Sequence, residues 1–484
     1  MRKNNIIICS IGLLFGAFIQ VSAQPSNSLY FMHGVPQSIR INPARQPECT
    51  FYLGFPALSP LSSQVTSNAL AFDDVIYPHP TEDSLIYFLH PLGDKQAFLD
   101  KLKPVNMVVT DVGTTLFSIG FLTGAGFFSV DVTTRVEGDV KLPGDLARLV
   151  LEGADDGRTY TLDGIGADLT GFDDISIGWS GAIGKKWHVG VRGKALFGFG
   201  NLTTTRSKLA VTTSEEAWTI RSDMEVNASL PFADVTYNDD GMIEDIVIDE
   251  DQFDLRPSNI ARQAFNTRNF GLGVDLGVDF RPIEPLLISA SVLDLGYIRW
   301  TDEVHKVNYN TGYDYAGLEV NPFDFSDTYT FGDFLDSSLT ALGDTLADGL
   351  EFTPGGKYSS RLNTKIYIGA SWTVIPQISF GLLSRTDFMN ESVQEQITAT
   401  TNFTLGRIFN FTLSYSYSSN YLKNFGMGMS LNAGPLNLYL LSDNTLNVLI
   451  WPQETVTANI WFGMNLVFGY NQFFKTDRDR PLVY

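Results

Sequence analysis

From Asn269 to Phe280 the chain reads NFGLGVDLGVDF. Phe270, Leu272, Val274, Leu276, Val278 and Phe280 share one parity, and Gly271, Gly273, Asp275, Gly277 and Asp279 share the other. Successive side chains of an extended strand point to opposite sides, so this stretch predicts a strand with one apolar face and one polar or bare face. The same alternation returns about a dozen times. It is clear at Phe117–Phe121, Phe128–Val136, Ile175–Ile183, Val189–Phe199, Leu286–Trp300 and Ile366–Val374. It continues at Ile378–Leu382, Ile397–Leu405, Phe409–Tyr417, Phe425–Leu431, Leu436–Leu440 and Val456–Tyr470.

Connection lengths add a second signal. Those near 123, 184, 282, 375, 406 and 434 are short, and those at 138–170, 203–262, 301–358, 388–394, 419–424 and 442–454 are longer. The two kinds alternate, as do the periplasmic turns and external loops of outer-membrane barrels. Two short segments have helical spacing, Asp94–Lys103 and Pro143–Glu152. Residues 24–105 do not alternate cleanly, although Phe51–Pro56 reads as a short strand. Either a strand near 50–56 makes the first crossing, or residues 24–105 thread the lumen as a plug. One early strand brings the total to about 14, an even number, as bacterial barrels require.

The N-terminus decides which solvent surrounds these strands. Arg2 and Lys3 precede an apolar run from Ile6 to Ile19 and then Val21-Ser22-Ala23. That is the layout of a secretory signal peptide over residues 1–23, with Gln24 as the mature start. No later stretch approaches the roughly 20 apolar residues of a spanning helix. An exported chain with this much apolar strand can sit in a bilayer only as a closed barrel, because an open edge would leave backbone groups unpaired in hydrocarbon. The expected fold is therefore all-β: a transmembrane antiparallel β-barrel of about 14 strands with an N-terminal plug-like segment. It divides into residues 24–105, a barrel over 106–470 and a periplasmic tail over 471–484, and its expected location is the outer membrane.

Composition agrees. Charged residues are 18% of the chain and aromatics 13%, with 43 Gly and 19 Tyr. A charged fraction near 25% is usual for a soluble protein. Losing Arg2 and Lys3 with the leader takes the formal charge from −21 to −23, which argues against nucleic acid as a partner. After cleavage Cys49 is the one remaining cysteine, so no disulfide framework is expected.

Several stretches together resemble a Bacteroidota family of outer-membrane β-barrels of unknown function. They are Val35-Pro36-Gln37-Ser38 with Asn42-Pro43-Ala44, Phe51–Pro56, Val189–Phe199, SASVLDLGYIRW at Ser289–Trp300, FGLLSRTD at Phe380–Asp387 and FGMNLVFG at Phe462–Gly469. The Asn-Pro-Ala tripeptide is also distantly similar to the start of the long-chain fatty-acid transporter group and to the barrel that shuttles type IX secretion cargo. The first resemblance implies the barrel and its membrane and names no activity.

Candidate chemistry lies on the polar parity. Asp131, His188, Arg192, Lys194, Asp275, Asp279 and Arg385 fall there and are expected to line the lumen, as a charge ladder or as a selectivity or ligand site. A single β-bulge would reverse such an assignment. In the acidic stretch Asp234–Asp254, Asp249, Asp251 and Asp254 have the oxygen chemistry for Ca²⁺ but not the spacing of a calcium loop, and an acidic hairpin or loop is the expectation there. The five histidines have no metal-ligand spacing, and neither a nucleophile elbow nor a phosphate loop occurs. No enzyme, cofactor or metal is expected. Trp179, Trp300, Trp372, Tyr415, Tyr417, Trp461 and Tyr470 are candidates for the aromatic girdles at the bilayer edges. Partners are expected to be outer-membrane lipids and a protein at the long external loops. The expected function is passage of small hydrophobic compounds; the alternative is a non-enzymatic scaffold for protein secretion or surface attachment.

Overall fold

The computed structural model describes residues 27–79, 84–88, 90, 92–214, 217–237, 243–248, 266–315, 351–390, 392–406, 408–418, 421–445 and 457–469. The leader, the tail at 471–484, Tyr470 and Asp249–Asp254 lie outside them.

Fourteen staves close an antiparallel barrel. The first, β1, is broken into Phe51–Gly54 and Leu61–Ser67. The next are β2 (Val105–Thr123), β3 (Gly126–Pro143), β4 (Gly166–Ile183), β5 (Trp187–Thr212), β6 (Phe270–Ile283) and β7 (Leu286–Trp300). The ring continues with β8 (Thr364–Ile375), β9 (Ile378–Phe388), β10 (Val393–Leu405), β11 (Phe409–Ser418), β12 (Tyr421–Ala433), β13 (Leu436–Ser442) and β14 (Thr457–Phe468). Each stave pairs with the next in chain order, and both halves of β1 pair on one side with β2 and on the other with β14. Phe51 faces Phe468 and Phe121, and Thr66 faces Thr457 and Val109. Closure leaves the ring without an unpaired edge.

The alternation sorts the two faces. Ile177, Leu276, Ile368, Leu382, Ile397 and Leu413 are exposed on the outside. Inward positions are a buried array of Ser, Thr, Asn and charged residues, among them Ser118, Ser176, Ser291, Thr398, Thr412, Ser430 and Asn465. The fold is thus inverted relative to a soluble sandwich, with polar groups at the centre. Tight turns at one end use residues that tolerate positive φ, such as Gly184 at 66° and Gly434 at 64°. Rings collect at this end. Phe51–Phe468, Phe121–Phe128 and Trp187–Phe280 lie at centroid distances of 6.0, 5.9 and 4.1 Å, and Trp179 Nε1 donates to the Ala125 carbonyl at 3.0 Å. Trp372, Tyr415 and Tyr417 are also exposed on the outer face. Two other girdle candidates are not there. Trp300 and Trp461 are buried: Trp300 packs with Phe172 and Ile298, and Trp461 with Leu441 and Tyr439. Strand parity, and not ring chemistry, sets which way each one faces.

The long-loop end holds more strand than its polarity suggests. The segment 138–170, expected to be non-strand, gives residues up to Pro143 to β3 and residues from Gly166 onward to β4, with a helix at Gly144–Glu152 between them. The polar region from 203 likewise continues β5 to Thr212. That upper half pairs with Trp218–Ser229, which pairs with Val304–Tyr315, which pairs with Glu351–Pro354. An apolar cluster of Leu149, Tyr160, Leu162, Leu209, Val211 and Ile220 supports one face of this sheet. These strands lie above the belt of outward apolar side chains, so hydropathy alternation does not mark them. In the acidic stretch, Ala233–Tyr237 and Ile243–Ile248 form a separate hairpin. Short helices also lie at Phe72–Val75 and Lys95–Lys101, the second capped by Asp94, whose carboxylate accepts the Ala97 N–H at 2.9 Å.

The early strand makes the first crossing, and the segment inside the ring ends before it and does not run through 24–105, since Leu61–Ser67 is also wall. Phe51–Gly54 begins the ring, and the preceding residues fold inside it. Two 3₁₀ turns, Asn27–Leu29 and Pro36–Arg40, carry this plug. Leu29, Tyr30, Phe31, Met32, Val35 and Ile41 pack against Leu287, Leu293, Tyr367, Leu383, Tyr439, Leu441 and Trp461 of the wall.

The outward parity gives a direct expectation. In lipid vesicles, Leu276→Arg on β6 should lower folding stability by about 2–4 kcal/mol, the range for a cationic residue on a barrel's lipid face near mid-bilayer. Urea titration followed by tryptophan fluorescence reads the change. An unfolding midpoint equal to wild type would contradict lipid contact at that face.

Candidate functional site in the barrel lumen

Two sets of side chains fill the interior. The first seats the plug. The carboxylate of Asp443, just past β13, accepts the Asn27 N–H at 2.7 Å, the Ser28 N–H at 3.0 Å and the Ser28 hydroxyl at 2.6 Å. Asn465 on β14 exchanges two bonds with the Gln37 amide, at 2.6 and 3.0 Å. Asn437 Nδ2 donates to the Gly34 carbonyl at 3.0 Å, and Ser291 Oγ to the Ile41 carbonyl at 2.7 Å. The plug backbone is thus satisfied by wall side chains, as buried backbone must be.

The Asn42-Pro43-Ala44 tripeptide has a specific seat. Asn42 Nδ2 donates to Asp279 at 2.8 Å, and His188 Nδ1 donates to the Ala44 carbonyl at 3.0 Å. A Cβ at Gly190 would collide with the Pro43 carbonyl, and one at Gly277 would collide with Asn42. Bare wall positions on β5 and β6 therefore let the plug backbone lie flat against the sheet. Arg45 follows, 4.0 Å from Asp279 and over the rings of Tyr30 and Phe31 at 5.4 and 5.5 Å.

The second set is a network of buried charges at the level of β2–β8. Asp294 is its hub. Between Val274 and Leu276 the register of β6 against β7 slips, so that Leu293 and Asp294 together oppose Asp275. This bulge turns two consecutive residues inward, with Asp294 at φ 57°. The freed Asp294 N–H donates to Asp275 Oδ1 at 2.7 Å. The Asp294 carboxylate then meets three cations: Arg135 from β3 at 3.0 Å, Lys365 from β8 at 3.5 Å and Lys194 from β5 at 2.5 Å. Lys194 also reaches Asp275 at 2.7 Å. Arg135 pairs with Glu137 at 2.7 Å and approaches Asp111 to 3.6 Å. Lys365 lies 3.7 Å from Asp111 and 3.8 Å from Glu137. Staves β2 and β8 stand six apart in a ring of 14, one short of facing each other across the diameter, so this contact spans the lumen. Burying so many charges is costly unless every charge finds opposite partners, and the network supplies them.

The seven residues expected from parity all point inward, as three pairs and one residue that stands apart. Asp131 and Arg192 pair at 3.1 Å beside the network, with Asp131 also accepting Ser118 Oγ at 2.6 Å. Lys194 and Asp275 belong to the network itself. His188 and Asp279 hold the plug. Arg385 stands apart, bonded to Asp387 at 2.9 Å and over the Tyr367 ring at 5.7 Å. Parity reading passed over Asp111, Arg135, Glu137, Asp294 and Lys365. Arg135 lies within the strand expected at Phe128–Val136, on the inward parity of Asp131, and Glu137 is the next position of that parity, so both follow from the same alternation. Asp294 depends on the bulge, which leaves no mark in hydropathy. Among the described residues, no group of three His, Cys, Asp or Glu side chains could hold a metal ion.

The family model described as "Family of unknown function (DUF5723)" matches residues 43–443. The chain belongs to this family. No curated protein matches it. In fold it is similar to the Ralstonia pickettii toluene transporter TbuX, at 9% identity and a TM-score of 0.38, with 90% of this chain and 95% of that one covered. It is also similar to a Pseudomonas aeruginosa FadL homologue, at 8% identity and a TM-score of 0.38, with 93% and 99% covered. A deltaS2S3 mutant of the monoaromatic hydrocarbon channel TodX aligns at 9% identity and a TM-score of 0.41, over 93% of this chain and 96% of that one. Likenesses this distant carry nothing about cargo, and the barrel of this DUF5723 member rests on its own strand pairing.

The hub makes a prediction. Asp294→Asn keeps the shape but leaves Arg135, Lys194 and Lys365 short of one negative charge. It should destabilise the folded barrel by about 3–5 kcal/mol, as removal of one partner from a buried ion pair does. Ser289→Ala, which removes a neutral donor to Tyr30, should cost about 1 kcal/mol. Equal midpoints for the two variants in urea would refute the hub role.

Proposed function

We propose that this DUF5723 member is an integral outer-membrane barrel without enzymatic activity, closed in the state described above, that offers its long-loop end to a protein partner. The observation that carries this is the ionic contact of Lys365 with Asp111 and Glu137 across the lumen. A barrel with its centre occupied by paired charges, and a plug besides, offers solute no continuous path. On this reading the short turns lie in the periplasm and the long-loop end faces outward.

The outward end has a surface suited to recognition. Above the belt, Arg206, Lys208 and Arg221 are exposed on the sheet formed by the upper half of β5, Trp218–Ser229 and Val304–Tyr315. Arg206 pairs with Asp223 at 2.8 Å and with Glu225 at 3.1 Å, and Lys306 pairs with Glu225 at 3.1 Å. The hydrogen bond from Lys306 pulls the Glu225 carboxyl below the usual carboxylate range. These exposed pairs add little stability. They fix a charge pattern on a rigid platform.

A second reading has its own support. The plug meets the wall along an apolar seam, Leu29, Phe31 and Met32 against Leu383, Leu441 and Trp461, and non-covalent bonds hold it there. Passage of a small hydrophobic compound along that seam would require the plug to shift.

Photo-crosslinking in intact cells separates the two. A photoreactive residue at position 208 or 221 should yield a discrete protein adduct, and one at the outward position 288 should not. If only monomer is recovered from 208 and 221, and proteoliposomes take up a hydrophobic dye, the transport reading stands instead.

A further inference from the structure

We propose that the outer rim of the barrel carries a binding site for the phosphate of an outer-leaflet lipid, built from Arg299 and Arg361 on the lipid-facing side of the wall. The proposal rests on the reading that the short turns lie in the periplasm and the long-loop end faces outward. It goes beyond that reading by giving the rim a ligand of its own, apart from the charged platform.

The register sets the two arginines side by side. β7 continues upward past the start of β8 and pairs there with a short strand, Tyr358–Arg361. Tyr297 faces Arg361, and Arg299 faces Ser359. Directly opposite residues share a face, so Arg299 and Arg361 are diagonal neighbours on one side of the sheet, roughly 7–8 Å apart at the backbone and able to reach one group with their long side chains. That side is the outer one. The alternate residues Ile298 and Trp300 are buried, whereas Leu295 and Tyr297 are 52% and 50% exposed. Both arginines are exposed, as are Ser359 and, just before the short strand, Lys357.

Height along the wall identifies the layer of the membrane. Arg299 lies 13 residues above Leu286, the first residue of β7 at its tight turn. At about 3.3 Å per residue and the tilt of a barrel strand this is roughly 30 Å, against an apolar band about 25 Å tall. Tyr297, two residues lower, falls at the edge of that band, where tyrosine is usual. Below it come Leu295 on β7 and Ile368 on β8, both exposed. The guanidinium groups therefore stand at the level of lipid headgroups, above side chains that suit acyl chains.

Charge selects the chemistry. The chain as a whole carries −21, and Arg206 and Arg268 at the same end are neutralised in place, the first by Asp223 and Glu225 and the second by Asp302. Among the described residues, Arg299 and Arg361 have neither a hydrogen-bond nor an ion-pair partner. Two unpaired guanidinium groups on paired strands match the several oxygens of one phosphate, which arginine binds in a bidentate fork. Ser359, facing Arg299 and two residues from Arg361, adds a hydroxyl donor.

The test is native mass spectrometry of the mature chain in detergent, with every protein first checked for the heat-modifiable migration of a folded barrel. The probe is diphosphoryl lipid A, compared with the same lipid stripped of both phosphates. Wild type should retain the phosphorylated lipid and not the stripped one. Arg299→Gln with Arg361→Gln should weaken retention by about tenfold for each arginine lost, the scale of one charge-assisted contact. Arg299→Lys with Arg361→Lys, which keeps the charge and loses the fork, should fall between. Lys185→Gln, on a tight turn at the other end, should match wild type. All four positions are exposed, so these substitutions leave the packing intact. Equal retention of the two lipids by wild type would overturn the proposal, as would equal retention of the phosphorylated lipid by wild type and the double Gln variant. Displacement of lipid A by inorganic phosphate alone would overturn it too, because the site would then be one for a free anion. Orientation is tested apart, by labelling Lys208→Cys in intact cells with a membrane-impermeant maleimide. No labelling, with lipid retention unchanged, would defeat the outward reading of the long-loop end and with it the choice of leaflet, an outcome distinct from loss of phosphate binding.

Discussion

Everything in this fold depends on the pairing of the first stave with the last. An N–H or carbonyl that faces hydrocarbon without a partner costs several kcal/mol, so a sheet in lipid must close. Here closure falls to a strand in two pieces, Phe51–Gly54 and Leu61–Ser67, wedged between β2 and β14. The break lets each half meet both neighbours in register. It also sets the plug's exit: the segment that fills the lumen runs directly into the stave that seals the ring. Plug and wall are therefore one continuous piece of chain, and the plug is anchored next to its seat.

Closure then dictates the interior. Once apolar side chains are spent on the outside, the inward parity must be polar, and a buried polar lumen has to satisfy itself. In the half against β9–β14, neutral Ser, Thr and Asn side chains bond to the plug and to one another, as with Thr412 Oγ1 to Asn402 at 2.9 Å. In the half bounded by β2–β8 the solution is charge. Asp294 shows why the two halves differ. Its inward position exists because a bulge adds one residue to β7, and its carboxylate then lies within reach of cations from three separate staves. A regular strand would carry residue 294 on the opposite parity from Leu293 and leave Arg135, Lys194 and Lys365 without a common anion.

What the sequence discloses follows the same physics. The ring, its strand number and the inward parity of Asp131, Arg192, Lys194 and Asp275 are legible because lipid imposes period-two alternation on every stave it touches. Strands above the belt are not legible. Thr203–Thr212 and Trp218–Ser229 have no lipid to write an apolar face, and both read as polar loop. Trp300 and Trp461 mislead for a related reason, since aromatic chemistry suggests a girdle while parity buries them. Asn42-Pro43-Ala44 stands out in the sequence as a tripeptide resembling the start of other barrels, but its complement, bare Gly190 and Gly277 on neighbouring staves, needs the register to bring the two together. The hub at Asp294 was hidden in a stretch quoted for its resemblance to a family, with nothing to say that its carboxylate meets Arg135 from four staves away.

The arrangement bears on how such a barrel could work at all. Charges that attract across a lumen do two things at once. They close the path, and they draw together staves that a water-filled barrel of this size would hold apart. One strand joins the two regions: β5 runs from the network at Lys194 to the exposed platform at Arg206 and Lys208, with bulges at Phe199 and Thr205 on the way. A flexible channel would have little use for that continuity, whereas a surface platform anchored in a membrane depends on it. This favours reading the charged lumen of this DUF5723 barrel as the support of its outer face.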